Sequence, residues 1–134
     1  MTEARVVADT DSARANAEAV LAFFAAALRP PYDLDAVERL VAEDYLDHDP
    51  YGEDTRRDGV RAKLEGMWGG LPGGAFVPTL AVAAGDLVTV RSDLVPAGGS
   101  PTVAFHDTYR VADGRIAEHW HVLDTAALAA LFGG

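Results

Sequence analysis

The apolar residues of this chain change period once, close to residue 75, and that change restricts the folds it can adopt. Upstream, Ala13, Ala17, Val20, Leu21, Phe24 and Leu28 recur at spacings of three and four, the signature of one buried helix face. Asp11 or Ser12 can cap the start of this helix from Ser12 onward, and Arg29-Pro30-Pro31 ends it. The segment LDAVERLVAEDYL predicts a second, shorter helix with Val37, Leu40 and Val41 on one face. It runs into DYLDHDPYGED, which reads as irregular because it is rich in Asp and holds Pro50 and Gly52. RRDGVRAKLEGMWGGLPGG predicts a third short helix, with Val60, Leu64 and Met67 or Trp68 inward and a stop at Gly69-Gly70.

Downstream the chain becomes β-branched and aromatic. Four strands are predicted, at about 76–83, 87–95, 102–111 and 115–123. Turn residues at Gly85-Asp86, Ala97-Gly98-Gly99-Ser100 and Asp113-Gly114 join them as an antiparallel meander, and TAALAALFGG closes the chain as a short helix or turn. Helices first and a curled antiparallel sheet afterwards make an α+β domain. A chain of 134 residues supplies one core and not two, so residues 1–134 read as a single domain, with 1–10 as a loose leader.

Charge narrows the partners. A net charge of −10 repels a phosphate backbone, which argues against nucleic acid. Lys63 is the only lysine, and the Arg56-Arg57 pair is flanked by Asp54 and Asp58. With no cysteine, disulfides, a thiol nucleophile and thiolate metal sites are excluded. No apolar run approaches the ~20 residues of a transmembrane helix, and the start lacks an apolar signal region. A soluble, cytoplasmic protein with no membrane partner is expected.

Three of the four histidines fall in HDTYRVADGRIAEHWHVLD, residues 106–124. Two hairpins fit Asp113-Gly114: a two-residue turn pairing Ala112 with Arg115, and a three-residue loop pairing Val111 with Arg115. The choice matters because a slip of one residue moves every side chain to the other face. The three-residue register gathers Val103, Phe105, Asp107 and Tyr109 with Ala117, His119, His121 and Leu123. That set is apolar with a few polar groups, as a pocket wall requires. It puts Asp107 opposite His119 and diagonal to His121, with Ile116, Trp120 and Val122 facing away from the pocket. The two-residue register sets Asp107 against Trp120 and mixes both faces. A strand histidine is ordinarily filler, but two of them with a carboxylate on one apolar face form a candidate site.

Other candidates lie outside the hairpin. Tyr45, Asp47, His48, Asp49 and Tyr51 occupy YLDHDPYGED, where Asp and His can equally tie down a turn. Asp47, His48 and Asp49 with His119 and His121 can be drawn as a metal site, but their spacing matches no metal motif. Trp68 ends the third helix, as a cap on the cavity or as plain core, while Phe105 and Tyr109 can shape a substrate site. Arg110 and Glu118 are placed for a cross-strand charge pair.

HDTYRVADGRIAEHWHVLD closely resembles the C-terminal hairpin of SnoaL-like polyketide cyclases, in the nuclear transport factor 2-like superfamily. DYLDHDP is similar to the family's Y-x-x-H-N-P element, and AAGDLVTVR to its G-D-x-V strand pair. The resemblance spans roughly residues 14 to 132. It implies a cone-shaped, curved, antiparallel-rich sheet wrapped around N-terminal helices, with a pocket inside. It further implies proton abstraction next to a carbonyl by an aspartate of the last strand, then aldol ring closure, with no metal and no organic cofactor. The substrate would be a small hydrophobic carbonyl compound of secondary metabolism. His121 occupies that aspartate's position in EHWH, so the resemblance points to His121 as base, with Asp107 or His119 as partner. It also implies that His48 approaches the pocket mouth and that copies pair through the sheet face around Trp120 as a homodimer; with Tyr45 near the opening and Phe105, Tyr109 and Trp68 from their own positions, these are the expected substrate contacts. The superfamily hosts other activities, so water activation by an epoxide hydrolase or hydratase, or a non-catalytic binding or dimerisation module, stands as the alternative.

Overall fold

The computed structural model describes residues 3–133. Strand β1 (Arg5–Ala8) leads into helix α1 (Asp11–Ala27). Then come α2 (Ala36–Leu40), β2 (Val41–His48), β3 (Thr55–Arg56) and α3 (Arg57–Gly70). Strands β4 (Ala75–Ala84), β5 (Leu87–Val95), β6 (Val103–Ala112) and β7 (Arg115–Leu123) follow, and α4 (Thr125–Leu131) ends the series. The strands form one seven-stranded mixed sheet, in the order β1-β4-β5-β6-β7-β2-β3. The β4 to β7 meander is antiparallel, while β1 on β4 and β2 on β7 are parallel additions at either end. The fold is α+β, as the change of period requires.

Helix α1 lies on one face of the sheet and buries Ala13, Ala17, Val20, Phe23, Phe24 and Ala27. Its small residues let the helix approach the sheet, and Phe24 meets the rings of Phe76 and Tyr109 edge-on, at 6.4 and 6.1 Å between centroids. The cap is Thr10, whose side chain accepts from the Ala13 amide, and not Asp11 or Ser12.

Three further expectations are corrected. Residues 5–8, placed in a loose leader, form β1, because Val6 and Ala8 pack on the core while the backbone pairs with residues 80–83 of β4. The leader's first two residues and Gly134 lie outside the described residues. The second helix stops at Leu40. From Val41 the backbone is extended and pairs with β7, so tertiary pairing overrides the local helical pattern. The stretch read as irregular is therefore strand through His48, with Val41, Tyr45 and Asp47 buried at alternating inward positions.

The hairpin is the third. Asp113 and Gly114 both have positive φ, 52° and 76°, and Ala112 pairs with Arg115, so the turn is the two-residue form. A bulge then intervenes. Val111 pairs with Ile116 but Arg110 pairs with Glu118, leaving Ala117 as the extra residue. The bulge restores the face assignment reached from the three-residue loop but shifts the pairs by two: Asp107 lies opposite His121, and Tyr109 opposite His119. It also buries Ile116, expected on the outer face.

Candidate functional site

Between α1, α3, α4 and the sheet lies a cavity of about 490 Å³, well within the range of small-molecule sites. Its walls are mostly apolar: Phe23, Phe24, Val60, Leu64, Met67, Phe76, Phe105, Ile116 and Leu128 among others. The exposed Tyr51, Thr125 and Phe132 also line it, marking where it reaches the surface. The polar groups gather at one pole, where β2, β6 and β7 lie side by side. Parallel pairing of β2 with β7 sets Asp47 beside His119, and antiparallel pairing of β6 with β7 brings Asp107 to the other side of the same ring.

His119 is held at both nitrogens. Nε2 donates to Asp107 Oδ1 at 2.8 Å, and Nδ1 donates to Asp47 Oδ1 at 3.1 Å. Both partners are carboxylates, which accept only, so the ring carries two protons and a positive charge. Burial alone would lower its pKa, but hydrogen bonds donated to Asp107 and Asp47, with the charges of those carboxylates, carry it up to about 9. Asp47 is correspondingly low: burial pushes its pKa up, but the bond to His119, the charge of His119 and that of Lys63 pull it below the ordinary value.

His121 is the opposite case. Burial and the neighbouring His119 cation push its pKa below that of a free histidine, against weaker opposing pulls from Asp47, Asp107 and Asp49. It is therefore a neutral imidazole at pH 7. Its Nδ1 is buried with no hydrogen-bond partner among the described residues, 4.0 Å from Asp47 Oδ1. Tyr109, His119 and His121 form a stacked column, with centroids 4.5 and 5.1 Å apart. Burial and the nearby carboxylates hold the Tyr45 and Tyr109 phenols far above their ordinary pKa, so both keep their protons and can only donate or accept hydrogen bonds.

Asp47, His119 and His121 offer ligand atoms within 4.8 Å of one another. The set suits a proton better than a metal. Both His119 nitrogens are engaged by carboxylates, and the two imidazoles stack at 22°, so their in-plane lone pairs run side by side instead of converging.

Of the residues singled out from sequence, Tyr45, Phe105, Asp107, Tyr109, His119 and His121 come together on this cavity. His48 does not. As the neighbour of inward Asp47 it faces the other side of the sheet, bonded to Glu118 at 2.5 Å and stacked on Trp120. Trp68 is core: its indole N–H donates to the Ala27 carbonyl at 3.1 Å, and its ring stacks on Tyr32. Arg110 and Glu118 form the expected cross-strand pair, at 2.9 Å. Asp107 bonds His119 across the diagonal and has no hydrogen bond to His121, on which it acts only by its charge. Two residues gained importance only here. Asp47 is the second clamp on His119, and Lys63, on the cavity face of α3, lies 3.7 Å from Asp47 Oδ2 and 3.5 Å from Asp49 Oδ2. Lys63 was detectable in principle, because it falls three residues after Val60 on the same apolar helix face.

The sequence signature of the SnoaL-like domain matches residues 20–119. The chain belongs to the SnoaL-like family. A Bacillus cereus protein described as a "putative polyketide cyclase" superposes on this SnoaL-like chain with a TM-score of 0.84 at 21% identity, covering 98% of this chain and 92% of that one. IdmH of Streptomyces antibioticus, described in the same words, gives 0.74 at 24% identity over 89% and 99%. An NTF2-like protein of unknown function from Mesorhizobium loti gives 0.67 at 25% identity over 90% and 98%. No curated protein matches the sequence. The SnoaL-like architecture is thus shared among proteins whose descriptions differ, and what this chain does must be argued from its own pocket.

Proposed function

We propose that the protein is a cofactor-independent proton-transfer enzyme acting on a small hydrophobic carbonyl compound, with aldol-type ring closure as the reaction. One observation carries this reading: a His121 kept neutral by burial and by its cationic neighbour lines an apolar cavity beside a His119 cation fixed by two carboxylates. In the proposed cycle His121 takes a proton from carbon next to a carbonyl, and the C–H electron pair passes into an enolate. The enolate carbon attacks a second carbonyl of the same molecule. The resulting alkoxide takes the proton back from His121, so acid and base roles are served by one ring. The His119 cation offsets the charges of Asp47 and Asp107, so an anionic intermediate beside them meets less repulsion in a water-poor site. Asp107 and Asp47 act by holding that charge in place.

The reaction is tested without a known substrate by incubating the protein in D2O with a panel of 1,3-diketones and linear polyketide-like esters. Exchange at the acidic carbon, and ring closure, are followed by NMR. The proposal expects both in wild type and neither in His121→Gln. Tight binding of a panel member with no exchange would favour the non-catalytic binding module instead, and opening of a styrene oxide included in the panel would favour water activation.

We also propose a homodimer formed through the outer sheet face, where Val82, Leu87, Trp120 and Val122 are exposed.

A further inference from the structure

The proposed chemistry generates a negative oxygen, and an apolar cavity needs a donor to receive it. The cavity walls carry two cations, His119 and Lys63. His119 has both N–H groups committed to carboxylates. The Tyr51 hydroxyl donates to the Leu123 carbonyl at 3.5 Å, and the buried Tyr45 and Tyr109 phenols beside Asp47 and Asp107 offer neutral donors that bring no positive charge. Lys63 is different. Its ammonium lies 3.5 and 3.7 Å from Asp49 and Asp47, close enough for attraction but too far for a short hydrogen bond, so its three N–H donors have capacity left.

Its position on α3 is also unusual. Val60, Leu64 and Met67 make the apolar face of the helix toward the cavity, and Lys63 lies within that face. Its side chain is nonetheless solvent-exposed, so the ammonium keeps hydration while two aspartates face it. Four methylenes give the ammonium reach across the polar pole, and its half-exposed side chain leaves it free to swing.

We infer that Lys63 is the catalytic electrophile of this pocket: its ammonium receives the substrate's enolate oxygen while His121 holds the abstracted proton. This rests on the proton-transfer reading above and adds to it the residue that binds the developing charge. The substrate then carries its reacting carbonyl oxygen toward α3 and its acidic carbon toward β7.

The probe is 4-nitrophenol, a delocalised oxyanion in place of an enolate, whose anion absorbs apart from the neutral phenol. Wild type should bind it with the anionic form favoured over its ratio in buffer. Lys63→Met should weaken binding of the anion about tenfold or more, leave neutral nitrobenzene binding unchanged, and be largely restored by Lys63→Arg. A direct readout accompanies this. As the sole lysine, Lys63 gives a single side-chain ammonium signal in 15N-edited NMR, which should shift on adding 4-nitrophenol and not on adding nitrobenzene. Anion preference unchanged in Lys63→Met but lost in His121→Gln would overturn the lysine assignment and leave the proton-transfer reading standing. No anion preference in wild type, with or without detectable binding, would overturn both. Weakened binding of anion and neutral probe alike, with no ammonium shift, would reduce Lys63 to a partner of Asp47 and Asp49 and overturn the assignment.

Discussion

At the scale of single residues, the site depends on two histidines two positions apart on one strand and driven to opposite protonation states. His119 is clamped by Asp47 and Asp107; His121, stacked against that cation, is kept neutral. Activity should therefore hold through neutral pH and fall on the alkaline side as His119 loses its proton near 9, with a fall on the acid side once His121 is protonated, below the ordinary histidine range. His121→Gln should remove on the order of a hundredfold or more of the carbon-acid exchange rate with the fold intact by circular dichroism. The clamp also affects stability. The folded pKa of His119 lies above its ordinary 6.5, so the native state binds the proton more tightly than the unfolded chain. The stabilisation is complete below about 6.5 and is lost as pH rises through about 9, on the order of 3 kcal/mol across that window. Urea titrations of wild type should show stability declining over that window. The decline should flatten in His119→Gln; an equal slope in both proteins would assign it to other groups.

At the scale of elements, one bulge and one parallel strand pairing assemble the pocket pole. The type I′ turn at Asp113-Gly114 alone would put His119 and His121 out of phase with Asp107; the extra residue Ala117 brings them back. Gly114 sits at φ +76°, a conformation a β-branched side chain tolerates poorly, so Gly114→Val should destabilise by about 1–2 kcal/mol in denaturant titrations. At the end of α3, Trp68→Phe separates core from ligand contact. It removes the bond to the Ala27 carbonyl and should cost about 1–3 kcal/mol of stability. Probe binding in the cavity should be unchanged, because Trp68 is not among the residues lining it.

At the scale of the whole molecule, one face of the sheet is covered by helices and the other presents Val82, Leu87, Trp120 and Val122 to solvent, with Trp120 stacked on His48. Exposed apolar side chains of this kind underlie the homodimer proposed above, so Trp120→Glu is expected to be a monomer where wild type is a dimer in light scattering at micromolar concentration. A wild-type monomer at that concentration would remove the proposal. The cavity is on the opposite side, so probe binding should be the same in Trp120→Glu as in wild type.

Local pattern carried much of this architecture. The period of α1, the four meander strands and the α+β class follow from side-chain spacing, because neighbouring residues decide which face is buried. The gathering of Phe105, Asp107, Tyr109, His119 and His121 on one face was legible for the same reason, although the hairpin reaches it through a tight turn and a bulge instead of a three-residue loop. What the sequence could not determine was non-local. Val41–His48 reads as a helix end running into an irregular stretch until β7 is beside it, and only that pairing brings Asp47 to His119 and turns His48 away. The Asp47–His119 bond joins residues 72 positions apart, and Lys63 reaches the same carboxylate from a helix that packs over the sheet. No local spacing encodes such contacts. The charge on His119 and the neutrality of His121 arise from them, so the division of roles between two nearby histidines belongs to the tertiary structure.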